Sequence, residues 1–235
     1  MTSANTAIAG DRARRVGRAV AYGILVAVVV TALAFLIRSR FDPLIDADDA
    51  AIRRATDVTR AHPGLRSFLL TWQTLSGPTY VYIAASLVCL WMWLGRRQTT
   101  RALWAFVTMM VGWNIALDAK LLVQRARPVV ADPVSHAPGY SFPSGHAANA
   151  TIATIAVILL IWPLLHRSGV RALTVGFGAL FVLVTCLDRV FLGVHFPSDV
   201  TGGVLLGAGL VLASYAGYLG WSPLTPPTTT SKETP

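Results

Sequence analysis

Hydropathy along the chain alternates between long apolar runs and short polar breaks rich in arginine. Residues 19–37 are almost uninterruptedly apolar, and a helix of that length, at ~1.5 Å per residue, just crosses a bilayer core of about 30 Å. Comparable runs fall at 102–122, from about 146 to 163–166, at 170–187 and at 199–218. One more is split by Gly77-Pro78 into 68–75 and 79–94; proline removes a backbone donor, so this span should be kinked or re-entrant. The stretch 42–61 has a different period. Asp42 can cap a helix, Pro43 suits its first turn, Asp46, Asp48 and Asp49 come early and Arg53, Arg54 and Arg60 late, as the helix dipole favours. Leu44, Ala47, Ala51, Ala55 and Val58 share one face, which predicts an amphipathic helix on the membrane surface, either a solvated connector or a lid over the substrate. The expected fold class is therefore all-α, a polytopic bundle of six transmembrane helices plus one short interfacial helix. Residues 1–18 are a basic N-terminal segment, 19–220 the membrane domain, and 221–235, rich in Pro and Thr, a tail that reads as disordered. A cleaved signal peptide ending near Ala32-Leu33-Ala34 is disfavoured, because the apolar run exceeds the usual core of ~7–15 residues.

Composition sharpens this reading. With 54% hydrophobic and 13% charged residues among 235, an ordinary soluble domain is excluded. The net charge of +9 sits in short clusters between apolar runs, not in a stripe interleaved with aromatics, which favours anionic lipid as the partner and argues against nucleic acid. Cys89 and Cys186 lie inside apolar segments without metal-ligand spacing and should be free thiols. Six spans put both termini on one side. That face carries ten Lys/Arg and two acids, the opposite face ten and nine, so the count of positive residues alone does not orient the chain. The short loops of the first face are almost purely basic, whereas three cations of the other belong to a candidate site. This places the termini in the cytoplasm and the site outside a plasma membrane.

The candidate chemistry stands at the ends of the apolar runs. Lys120 is one of only two lysines, Lys232 being the other, among 20 basic residues; a chain that otherwise uses arginine keeps a lysine at a helix edge. Arg127 and Arg189 can grip phosphate oxygens bidentately, and Lys120 adds a compact charge. Ser144 and Gly145 open a helix, where main-chain N–H groups and a hydroxyl can face an oxyanion. His195 and Asp199 are four apart: the carboxylate can hold one ring nitrogen protonated and leave the other as a nucleophile. His146 remains as a general acid. These are the parts of a phosphoryl-transfer site, and it calls for no metal and no cofactor.

The spacings also carry a resemblance. Lys120, six residues, then Arg127-Pro128; the run Pro143-Ser144-Gly145-His146; and Arg189, five residues, His195, three residues, Asp199 together resemble the three signature motifs of the type 2 phosphatidic acid phosphatase superfamily. The resemblance implies that His195 forms a phosphohistidine, that Asp199 orients it and that His146 protonates the departing oxygen. It also implies, as substrate, a polyprenyl diphosphate carrier of envelope synthesis, with phosphatidic acid or phosphatidylglycerophosphate as the alternative. A phospholipid-binding protein or flippase without turnover is a reading of another class, and intact His146, His195 and Asp199 argue against it. The family usually has Ser before the third-motif arginine, where this chain has Asp188. Arg125 reads as an interfacial anchor. Asp118 and Asp188 should each be paired in a membrane helix, although Arg189 faces another way from Asp188 and leaves its partner open. Gly203 and Gly207 give a small-xxx-small spacing that suits packing within the monomer.

Overall fold

The computed structural model describes residues 2–129 and 134–221. Its elements are helices α1 (Thr2–Arg38), α2 (Asp42–Ala61), α3 (Pro63–Leu75), α4 (Pro78–Leu94), α5 (Thr99–Val123), α6 (Gly145–Ile161), α7 (Ser168–Phe191) and α8 (Pro197–Trp221). A short 3₁₀ turn, Trp162–Leu164, prolongs α6, and no strand occurs among the described residues. Among the described residues, five helices are long and apolar enough to cross a membrane, and there are six such spans if α3 and α4, bent by 52°, count as one. The bend falls at Gly77-Pro78, as the proline requires.

Helix α6 is the centre of the bundle, touching α4, α5, α7 and α8. Half of its spanning segment is buried, against 6% for α1 and 11% for α7, so α1 and α7 turn most of their apolar surface outward, where lipid would cover it. The N-terminal half of α6 is rich in alanine and other small residues, and α8 packs on it through glycine. A Cβ on Gly203 would lie 2.7 Å from the Ser144 carbonyl oxygen, and one on Gly207 would lie 2.8 Å from that of Ala148. The small-residue spacing therefore serves helix packing within the chain. Helix α1 runs along α8, and Arg38 at its end donates to the terminal carbonyls of α5 at Leu122 and Val123, both at 3.4 Å. Cys89 and Cys186 are free.

Three expectations change. Helix α1 does not begin near residue 19 but continues from Thr2 through the basic segment. Helix α7 continues past residue 187, so that Asp188 and Arg189 are its last-turn residues. Helix α2 has the predicted bounds but buries Asp48, Ile52, Ala55, Thr56 and Thr59, while Ala47 and Val58 of the expected face are exposed. Its inward face is polar because it packs on the ends of α7 and α8, where acceptors wait: Thr59 Oγ1 donates to the Phe191 carbonyl at 2.8 Å. Of the tail expected from 221, only Trp221 falls within the described residues, as the end of α8.

Candidate active site

All the motif residues meet at one end of the bundle. Helix α5 stops at Gln124, whose φ of 52° is left-handed, and the chain enters the loop that leads to α6. Ser144 caps α6, its hydroxyl accepting from Ala147 N–H at 3.5 Å. After α7, Gly193 takes a φ of 75°, a value at which a side chain would be strained, and the chain folds back so that the N–H groups of Val194 and His195 both bond the Arg189 carbonyl at 3.2 Å. Pro197 then opens α8, and Asp199 in its first turn accepts from Phe196 N–H at 2.9 Å. The turn thus fixes His195 between Arg189 and Asp199.

His195 and Asp199 are buried. His195 Nδ1 lies 3.5 Å from Asp199 Oδ2 and 3.4 Å from Ser141 Oγ, whose hydroxyl in turn bonds Asp199 Oδ2. On the other edge of the ring, Arg127 Nη1 is 3.1 Å from Nε2. A guanidinium only donates, so Nε2 accepts and the ring proton sits on Nδ1, facing the carboxylate. This is the tautomer that leaves Nε2 as the nucleophilic edge. Burial lowers the basicity of the ring to about 4; the hydrogen bond and charge of Asp199 oppose the shift, and Lys120 and Arg127 add to it. The imidazole is neutral at physiological pH.

Around Nε2 the cations are held without being neutralised. Arg127 donates to the carbonyls of Gly139 (3.0 Å), Pro138 (2.8 Å) and Val194 (2.8 Å), and Lys120 Nζ to those of Tyr140 (3.0 Å) and Ser141 (3.5 Å). Neither makes an ion pair among the described residues. Burial lowers the Arg127 pKa from its usual value, and Asp199 opposes that change. Lys120 lies beside the start of α6, its Cε 3.6 Å from where a Cβ on Gly145 would stand. The ring of His146, in the first turn of α6, is within electrostatic reach of Arg189, His195 and Lys120 and faces the main chain of Gln73. Nearby, a cavity of about 530 Å³ is lined by Arg38, Arg40, Arg125, Arg127 and Phe196, among others, and gives the site a cationic approach.

Several placements differ from the sequence reading. Asp188 pairs with its own neighbour: the Arg189 side chain turns back so that Nε lies 2.7 Å from Asp188 Oδ2, with Nη2 on the same oxygen. Asp188 Oδ1 is buried without a partner. Asp118 is exposed and has no ion pair among the described residues. The Ser144 hydroxyl is spent on the helix cap, and its N–H bonds the Asp199 carbonyl at 2.9 Å. Arg125 is no surface anchor. Its Nη1 donates to Asp199 Oδ1 at 2.7 Å and to Ser198 Oγ at 2.6 Å, and its Nη2 to Asp48 Oδ2 at 2.7 Å. Sequence reasoning also missed Ser141, Asp48 and Gln73, whose Oε1 accepts from Arg189 at 3.3 Å and from Ser135 at 3.0 Å. Only Arg125 carried a signal, its place within the first motif.

A family model described as the PAP2 superfamily matches residues 114–222, which contain Lys120 through Asp199. The chain is 31% identical over 150 residues to undecaprenyl-diphosphatase BcrC of Bacillus subtilis, a match covering 60% of this chain and 67% of that protein. It is 35% identical over 86 residues to phosphatidylglycerophosphatase B of the same organism, covering 36% and 42%. It is 36% identical over 112 residues to decaprenylphosphoryl-5-phosphoribose phosphatase of Mycobacterium tuberculosis, covering 46% and 56%. The fold matches the crystal structure of a transmembrane PAP2-type phosphatidylglycerolphosphate phosphatase from Bacillus subtilis, with a TM-score of 0.74 and 23% identity over 82% of this chain and 94% of that one.

Proposed function

The chain belongs to the PAP2 superfamily, and from that membership we propose that it is an integral membrane phosphatase that hydrolyses a lipid phosphate or diphosphate through a phosphohistidine. The observation that carries this reading is the tautomer of His195: proton toward Asp199, lone pair toward Arg127, beside two cations, Lys120 and Arg127, that make no ion pair among the described residues. Phosphate oxygens replace the Arg127 hydrogen bond at Nε2 and take up Lys120, Arg127 and Arg189 instead. Nε2 then attacks phosphorus, the bond from phosphorus to the lipid oxygen breaks, and His146 gives that oxygen its proton. Water attacks the phosphohistidine, His146 takes a proton from it, and inorganic phosphate leaves. The N-terminus of α6 at Gly145 adds main-chain N–H groups to the cradle.

As substrate we favour a polyprenyl diphosphate presented at the outer leaflet. Among the relatives named above, the one matched over 150 residues is an undecaprenyl-diphosphatase, and the arginine-lined approach suits a head carrying more than one phosphate. Phosphatidylglycerophosphate is the second reading, supported by the relative bearing that activity and by the fold match. Phosphate release by the purified protein from polyprenyl diphosphate, polyprenyl phosphate, phosphatidylglycerophosphate and phosphatidic acid ranks these substrates, with His195→Ala as the control that must release none. Release from none of the four overturns the phosphatase reading. For sidedness, a cysteine at exposed His136 should react with an impermeant maleimide in intact cells, and one at exposed Thr99 only after permeabilisation. The reverse pattern moves the site to the cytoplasm.

A further inference from the structure

Asp48 is an aspartate of the interfacial helix α2, nearly 80 residues before the first motif ends, yet it is buried at the centre of the site's hydrogen-bond network. Oδ1 accepts from Ser198 N–H at 3.0 Å, in the buried first turn of α8. Oδ2 accepts from the Ser198 hydroxyl and, at 2.7 Å, from Arg125 Nη2. The same guanidinium reaches Asp199 Oδ1 with Nη1 at 2.7 Å. Arg125 therefore bridges two buried carboxylates, and its side chain is itself only 8% exposed. Its plane also stacks over the Phe196 ring, 4.1 Å from the centroid.

This arrangement matters because Asp199 alone does not fix where Arg125 points. A buried arginine with one carboxylate can rotate to share or withdraw its hydrogen bonds, whereas one held at both ends of its fork cannot. The cluster also has a definite charge: two carboxylates against one guanidinium leave one net negative charge beside His195. Without Asp48 the guanidinium would cancel Asp199, and the imidazolium-like charge that builds on His195 as phosphorus is attacked would lose its counterion. Resting on the phosphatase reading above, we propose that Asp48 is a positioning residue of the reaction: through Arg125 it holds the orientation and the effective charge of Asp199, and so of the His195 ring. Helix α2 is in this view a working part of the site and not a connector.

The test uses the full-length protein and the substrate that the wild type turns over best. Asp48→Asn should lower kcat about tenfold or more with KM nearly unchanged, as loss of a supporting hydrogen-bond partner does. It should also move the acid limb of the pH profile to lower pH, because the groups facing His195 would then be Asp199 and Ser141 against Arg125, Arg127 and Lys120, with His146 and Arg189 beyond, and the balance becomes more positive. In an Asp199→Asn background the same change should cost less than about threefold, since both act through one path. A loss of kcat with an unmoved acid limb and full additivity would mean that Asp48 only holds the fold, and would overturn the proposal. If Asp48→Asn yields no folded protein, Arg125→Lys carries the test: it keeps the charge but cannot bridge two carboxylates, and wild-type kcat and pH profile in that variant overturn the proposal equally. The wild type separates the two claims. An inactive wild type refutes the phosphatase reading, and an active wild type with a kinetically normal Asp48→Asn refutes this inference alone.

Discussion

Two buried carboxylate–arginine pairs flank the same histidines, and they are built on opposite plans. Asp199 is saturated: Arg125 holds Oδ1, while Ser141, Phe196 N–H and His195 share Oδ2. Asp188 is half-filled. Arg189 holds Oδ2, and Oδ1 is buried with no hydrogen-bond partner, a condition that costs about 1–3 kcal/mol. A saturated network has nothing to gain by rearranging, so it suits a group that must stay still while bonds change around it. The half-filled pair can gain by exchange. Arg189 has donors that an incoming oxyanion can share, and Asp188 then acts as its resting counterion. At one site the chain thus keeps one arginine as framework and the other as a contact that can be redirected.

The comparison can be broken at either pair, and the largest effect belongs to the saturated one. Asp199→Asn should lower kcat by about 10³-fold or more, because the amide can hold the wrong tautomer on His195, and should destabilise the fold because Arg125 loses a buried partner. The sign of the accompanying pH shift follows from the causes acting on the ring. Burial lowers His195 to about 4 and Asp199 opposes that shift. In the wild type the activity governed by this group is present above pH ~4 and lost as pH falls through that value; with Asn, the limb moves lower still. A loss of less than tenfold in the pH-independent kcat would remove Asp199 from its assigned role.

At the half-filled pair the effect should be smaller and of the other sign. Asp188→Ser removes the competing carboxylate and should make vanadate or inorganic phosphate inhibit about tenfold more tightly, the equivalent of one charge-assisted hydrogen bond. Unchanged inhibition would show that Arg189 does not reach the anion. The smallest expected effect is that of a chelator. Lys120 and Arg127 hold only carbonyl and imidazole partners, so their charge can serve the phosphate, and excess EDTA should leave turnover within about twofold of the untreated rate. Abolition by EDTA with recovery on adding a divalent cation would assign that work to a metal.

The bundle was largely legible in the sequence because hydrocarbon imposes a single requirement, long apolar helices, and composition alone declares it. The signature spacings located His146, His195, Asp199, Lys120, Arg127 and Arg189 for a similar reason: each stands at a helix end that the hydropathy already marked. What was not legible is instructive. The inward face of α2 was misread at Ala47 and Val58, which are exposed, since the rule that apolar faces point inward fails where the helix packs on a polar site and lipid waits outside. The bond between Asp48 and Arg125 joins residues 77 apart in sequence, and no local pattern reports such a pair. Asp188 was denied its neighbour by helix geometry that considers Cβ directions alone. A long arginine side chain can fold back along its own turn, which the direction of its first bond does not reveal.

Helix α1 has a consequence of its own. Arg18 and Arg38 stand twenty residues apart on it, about 30 Å along a helix axis, and so match the thickness of the hydrocarbon they bracket. Charged heads at both edges resist vertical displacement, and Arg38 is tied at 3.4 Å to the end of α5, the helix that carries Lys120. The site is thereby hung at a set depth, level with the headgroups. A bilayer a few ångströms thicker or thinner would shift the phosphate plane past Lys120 and Arg127 without altering any contact inside the protein. Acyl-chain length in reconstituted vesicles is therefore a second handle on turnover, one that acts through the height at which substrate is offered.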